Sequence, residues 1–253
     1  MSKSLKQLQL WTKARVVLGH SGNSIRTQEI LKFNYACSRA RDAVHAVWNV
    51  NSTRMDLEAM GEQVIVVTSH VLSRTDYLKQ PALGGRLSEE SRVVLEKINK
   101  DYDVVFIVSD GLSAIAVEKH FLPLWSKIKE RLLQTNLRLS PVVLAPFSRV
   151  ALSDDVGFYL KAKVSVIIIG ERPGLTASDS LGIYLTYGPK PGNLDCARNC
   201  ISNIRTPDGL SSKLGAEKLN FLLTESLKRE ISGIALKEET IETLFISHNL
   251  PSK

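Results

Sequence analysis

The sequence predicts an α/β fold: an open, mainly parallel sheet with helices on both faces, preceded by a smaller, largely helical N-terminal part. Three observations predict it. Short apolar runs rich in β-branched residues recur at 64–68, 104–108, 142–145 and 164–169. Without polar alternation, such runs fit strands buried on both faces of a parallel sheet. Helical patterns fall between the runs, and strand alternating with helix is the pattern of α/β layers. At 253 residues the chain can form one large domain or two small ones, since domains run to roughly 100–200 residues.

Residues 27–48 set Ile30, Phe33, Cys37, Ala40, Val44 and Val47 three or four apart, with Lys32, Arg39, Arg41 and Asp42 between them. This spacing predicts an amphipathic helix. The run at 64–68 is one early strand, and 69–87, with its Pro81-Ala82-Leu83-Gly84-Gly85 stretch, reads as a loop-rich connection. Next come a helix over 88–99 with Leu95 and Ile98 inward, a strand at 104–108, and a helical pattern over 112–133. Pro123 costs about 3 kcal/mol inside a continuous helix, so a break is expected near 120–123, with Pro123 opening a second segment. A helix over 153–162, capped by Ser153, lies between the strands at 142–145 and 164–169. A strand at 181–187 follows, and a last helix over 211–232 carries Leu214, Leu222, Leu223, Leu227 and Ile231, with Gly233 as its C′ residue. The expected organisation is an N-terminal part at 1–87, a Rossmann-like domain at 88–236 and a C-terminal tail at 237–253.

Composition narrows the function. Hydrophobic residues make up 43% and charged residues 23%, so neither disorder nor a fibrous repeat is indicated. The longest apolar run falls far short of the roughly 20 residues of a membrane helix. The basic N-terminus lacks the apolar stretch of a secretory signal, so a cytoplasmic location is expected. Three cysteines, Cys37, Cys196 and Cys200, are too few and too odd for a disulfide framework, in keeping with a reducing compartment. The net charge of +7 is spread along the chain without interleaved aromatic residues, which argues against nucleic-acid binding.

In open α/β sheets, ligands bind beyond the carboxyl ends of the strands. Three segments qualify. Ser109-Asp110-Gly111-Leu112-Ser113-Ala114 reads first as a turn with an N-cap. Gly170-Glu171-Arg172-Pro173-Gly174-Leu175 puts two opposite charges on a sheet edge, and its glycines and proline shape the backbone as a binding loop requires. The run 195–204 is dense in hydrogen-bonding groups. Cys196 and Cys200 are expected to be buried packing residues, because a closed zinc site needs four ligands and no histidine is near. No phosphate-loop or three-glycine dinucleotide motif is present, nor any nucleophile elbow. The residues alone therefore leave open a non-catalytic Rossmann-like interaction protein.

Taken together, Ser109 to Ser113, Arg149-Val150, the 170–175 loop with Ser180-Leu181 and Tyr184, the run 198–204 and Ser232-Gly233-Ile234 resemble the small subunit of ethanolamine ammonia-lyase. Order and spacing match from about residue 14 to 236. The resemblance implies a carbon–nitrogen lyase, active only as a hetero-oligomer, that converts ethanolamine to acetaldehyde and ammonia by an adenosylcobalamin radical mechanism. It implies that the large subunit binds ethanolamine while this chain closes over the cofactor. By position in the family pattern, Val150, Glu171 and Cys200 are the expected cofactor contacts, with Asp110 and Arg172 ranked second and no catalytic or metal-ligating residue. The chain has no Asp-x-His-x-x-Gly sequence to supply an axial histidine, so base-on cobalamin is expected. In many relatives a longer N-terminal extension is tied to solubility and to packing inside a bacterial microcompartment, whereas here the matching region begins near Ala14, so encapsulation is not an expectation for this chain. Ala197 stands where the family commonly has an acid, which predicts one missing salt bridge to Arg198.

Overall fold

A computed structural model describes residues 20–236, together with Gln7; the 237–253 tail lies outside the described residues. A two-stranded hairpin, β1 (His20–Ser21) and β2 (Ser24–Ile25), precedes helices α1 (Thr27–His45) and α2 (Val50–Ala59). The main sheet has six strands in the order β3 (Val64–Val66), β5 (Val142–Leu144), β4 (Val104–Ser109), β6 (Val164–Gly170), β7 (Leu181–Tyr187) and β8 (Arg198–Ile204). The first four are parallel, and β7 and β8 are antiparallel. The early strand β3 is part of this sheet and pairs with β5.

The apolar runs became strands because both their faces are covered. Along β4, Val104, Phe106 and Val108 enter one core with α5 (Ala114–Leu132) and α7 (Ser212–Arg229). Val105 and Ile107 enter a second core, behind α4 (Glu89–Glu96) and α6 (Leu152–Tyr159). On the first face, Phe106 meets Trp125 edge-on with ring centroids 5.1 Å apart, a geometry that aromatic quadrupoles favour.

Several elements differ from expectation. Helix α5 runs through Pro123 without a break. Pro123 is exposed, so the carbonyl it leaves unbonded can turn to water, while Phe121, Leu124 and Trp125 beside it are buried and hold the helix in place. Ser153 lies inside α6, whose N-cap is Ala151, and its hydroxyl donates back to Val150 O at 2.8 Å. Helix α7 ends at Glu230 in the left-handed region, and Gly233 opens a 3-10 turn instead of serving as C′. Segment 69–87 holds α3 (Arg74–Lys79) and a 3-10 turn at Pro81–Gly85. The stripe on α1 is only half used: Cys37, Ala40 and Val44 are partly buried, whereas Ile30 and Phe33 are exposed.

Candidate functional site

The parallel strands β4, β5 and β6 end along one sheet edge, where their following segments converge. Two glycines set how closely they approach. Gly111 has a φ of +49°, and a Cβ there would collide with Gly170 O and Ile169; a Cβ on Gly170 would collide with Asp110 O and Ser113 O. Leu112 N donates to Gly170 O at 3.0 Å across this contact. The expected turn and the expected binding loop are thus one interlocked structure.

Behind it, Asp110 is fully buried. It accepts from Phe147 N at 2.7 Å and pairs with Arg74 at 3.1 Å. Arg74 also donates to Gly111 O and to Val44 O, both at 2.6 Å. Burial pushes the Asp110 carboxyl up, with Arg74 opposing. Asp110 therefore joins α1, α3 and β4, with its side chain turned inward.

In front lies a two-lobed groove. One lobe, about 490 Å³, is bounded by Pro81, Ala82, Asp195 and Cys200; the other, about 500 Å³, by Tyr77, Gly111, Glu171, Arg172 and Ser202. Arg149, Val150 and Tyr184 line both. The residues expected at the site, Val150, Glu171 and Cys200, thus come from three different segments to one groove, with Arg172 beside them.

Glu171 does not pair with Arg172. Its carboxylate accepts from Ser180 Oγ at 2.6 Å, from Asn203 N at 3.1 Å and from Ser202 Oγ. Because a carboxylate has about four acceptor positions, roughly one remains for a ligand. Cys196 and Cys200 are exposed and not buried, contrary to expectation: Cys196 lies in the 3-10 turn Asp195–Ala197, and Cys200 lies on the edge strand β8 beside the buried Ile201. Burial and the neighbouring Cys200 hold the Tyr184 phenol above its usual range, and burial pushes the Cys200 thiol up.

Arg198 anchors the floor. Its side chain is 2% exposed and all five of its N–H groups are used: on Asp154 twice at 2.8 Å, on Thr186 Oγ1, on Asn193 O and on Asp195 Oδ1. Asp154, 44 residues away, supplies a bidentate partner, so Ala197 leaves no donor unfilled. Burial raises the Asp154 carboxyl, and Arg198 pulls it back down.

Sequence reasoning missed Tyr77, which lines one lobe from a segment read as a connection. Its helix was signalled by Ser73, a favoured N-cap residue whose hydroxyl accepts from Asp76 N and donates to the Asp76 carboxylate.

Residues 2–237 match the family model for the ethanolamine ammonia-lyase light chain (EutC). The chain belongs to this family. The ethanolamine ammonia-lyase small subunit of Pseudomonas fluorescens (strain Pf-5) is 42% identical over 243 residues, covering 94% of this chain and 88% of that relative. That of Pseudomonas aeruginosa (strain LESB58) is 43% identical over 239 residues, covering 93% and 86%. That of Pseudomonas syringae pv. tomato is 42% identical over 241 residues, covering 92% and 82%. Family membership makes the chain a lyase subunit. No helix among the described residues is long and apolar enough to cross a membrane.

Proposed function

We propose that this chain is the cofactor-covering small subunit of an adenosylcobalamin-dependent ethanolamine ammonia-lyase, which converts ethanolamine to acetaldehyde and ammonia. The observation that carries this reading is the convergence of Val150, Glu171 and Cys200 on one groove at the carboxyl edge of the sheet. The groove fits a bulky, mixed-polarity ligand. Val150 gives both lobes an apolar surface, Glu171 keeps about one acceptor position for an amide or hydroxyl, and Cys200 presents a soft sulfur at close range. A cofactor that keeps its own base on cobalt is the form this reading carries over from the family; among the described residues no histidine lines either lobe.

When bound, adenosylcobalamin supplies the radical, by breaking its cobalt–carbon bond. The chain's own residues bind and orient. They do not suit a cationic substrate, which needs free carboxylates: Glu171 already holds three donors, with about one acceptor position left, and Asp195 is paired with Arg198. Ethanolamine is accordingly assigned to the large subunit, and the working assembly to a hetero-oligomer of the two. The cytoplasm is the location this reading carries over from the family.

Co-expression with the large subunit tests the proposal. Adenosylcobalamin-dependent acetaldehyde release is expected from the complex and none from this chain alone. No release from a correctly assembled complex would sink the assignment.

A further inference from the structure

The groove carries a charge imbalance. Its second lobe is lined by two guanidinium groups, Arg149 and Arg172, and one carboxylate, Glu171. Glu171 is occupied by Ser180, Ser202 and Asn203, and neither arginine forms an ion pair with a carboxylate among the described residues. Arg149 is held in position: its backbone N–H donates to Gly84 O at 2.7 Å, and its side chain packs so closely on Gly84 that an added Cβ would stand 3.1 Å from Arg149 Cγ. Other cations of the same neighbourhood are ion-paired, Arg74 with Asp110 and Arg198 with Asp154 and Asp195. Two fork-shaped donors left without an anion in a concave site match the geometry of a phosphate group.

We infer that Arg149, with Arg172 beside it, binds the phosphodiester of the corrinoid's nucleotide loop, making this chain the subunit that distinguishes a complete cobalamin from a truncated corrinoid. The inference rests on the cofactor reading above and deepens it. Arg149 and Tyr184 line both lobes and Tyr77 one of them, so these residues would hold the phosphodiester near the junction of the lobes. Both residues are exposed, and within this pair Arg149 carries most of the effect because its backbone is tied to Gly84 and it lines both lobes.

The experiment measures the affinity of the assembled two-subunit complex for three corrinoids by absorbance titration. These are cobalamin, cobinamide, which lacks the phosphate and the base, and cobinamide phosphate, which has the phosphate but lacks the base. Arg149→Gln is expected to weaken cobalamin and cobinamide phosphate roughly tenfold to a hundredfold, the range for a lost charged hydrogen bond, and to leave cobinamide unchanged. Arg149→Lys recovers part of the loss, and Arg172→Gln gives a smaller loss of the same selectivity. Equal weakening of all three corrinoids would reduce Arg149 to a support of groove shape, and loss for cobalamin alone would move the contact to the base. Either result overturns the inference, as does no loss at all. A wild-type complex that binds none of the three overturns the cofactor reading itself.

Discussion

The donors that fill Glu171 come from the residue before β7, Ser180, and from β8, Ser202 and Asn203, so one carboxylate holds the 170–175 loop against two strands. Glu171→Gln keeps one acceptor oxygen and turns an amide donor toward groups that are themselves donors. The expected cost is about 1 kcal/mol, the lower end for an unmatched hydrogen-bond partner because Ser202 and Asn203 are exposed. A lower melting temperature of the chain, and weaker cofactor affinity in an assembled complex, are the measurements; unchanged affinity counts against Glu171 as a cofactor contact. A second prediction concerns His120, which is buried with its Nε2 unbonded. Burial pulls its pKa below 6.5, while Asp179, 3.7 Å away, opposes and Lys119 and Arg205 add to the fall. For a base whose folded pKa is lowered, the unfolded chain takes the proton first. Stability is therefore full above 6.5 and is lost as pH falls from there through the folded value. Melting temperatures between about pH 7.5 and pH 5.5 should fall less steeply in His120→Gln than in the native chain. The 170–175 loop and the 195–204 run were legible as strand-end segments, but the choice of Val150, Glu171 and Cys200 came only through family resemblance, since no local pattern reports that they meet. Arg198 illustrates the limit: its partner Asp154 lies on a different element, and sequence spacing is silent on such a pair.

At the scale of elements, the runs at 104–108 and 164–169 were legible because burial on both faces removes polar alternation, and β4 and β6 are buried at every position. Helix ends and breaks were less legible, since they depend on what packs around them. Pro123 argues locally for a break, yet the buried flanks of α5 outweigh it. Pro123→Ala restores an N–H that can donate to the Lys119 carbonyl. The gain is expected to be on the order of 1 kcal/mol, below the full proline penalty because the exposed carbonyl is already hydrated; thermal unfolding measures it. The α1 periodicity was correct, but periodicity does not say whether a stripe meets the core or solvent. The interlock of Gly111 with Gly170 predicts the opposite sign. Gly170→Ala drives a methyl into the Asp110 and Ser113 carbonyls, and overpacking of this kind costs about 1–3 kcal/mol, or more where backbone must move. The same shift separates the two segments that build the groove, so cofactor affinity in the complex should fall with the melting temperature. Asp154→Asn leaves Arg198 buried against a neutral amide. Both side chains are only 2% exposed, so little solvent screening applies, and a destabilisation of about 3–5 kcal/mol is expected in denaturant unfolding.

At the scale of the whole molecule, the sheet is closed by helices on both faces but open along its carboxyl edge, and that edge carries the groove. On the proposed cofactor reading, a wall of this shape covers the ligand from one side and the large subunit covers the other. Cys200 and Cys196 make this measurable. Both are exposed, but only Cys200 lines the groove, while Cys196 sits outside it in the 3-10 turn Asp195–Ala197. In the isolated chain both thiols should react with iodoacetamide, Cys200 more slowly because desolvation of its sulfur within the groove and the nearby Glu171 carboxylate raise its pKa, and the thiolate is the nucleophile. Adding cobalamin to the assembled complex should suppress labelling of Cys200, read by peptide mass spectrometry, while Cys196 labelling changes little. Protection of both cysteines by the large subunit alone, with no further change on adding cobalamin, would place the groove in a protein–protein contact instead of a cofactor site. The two cysteines lie four residues apart in sequence, so the comparison separates cover by a ligand from cover by a partner within a single segment.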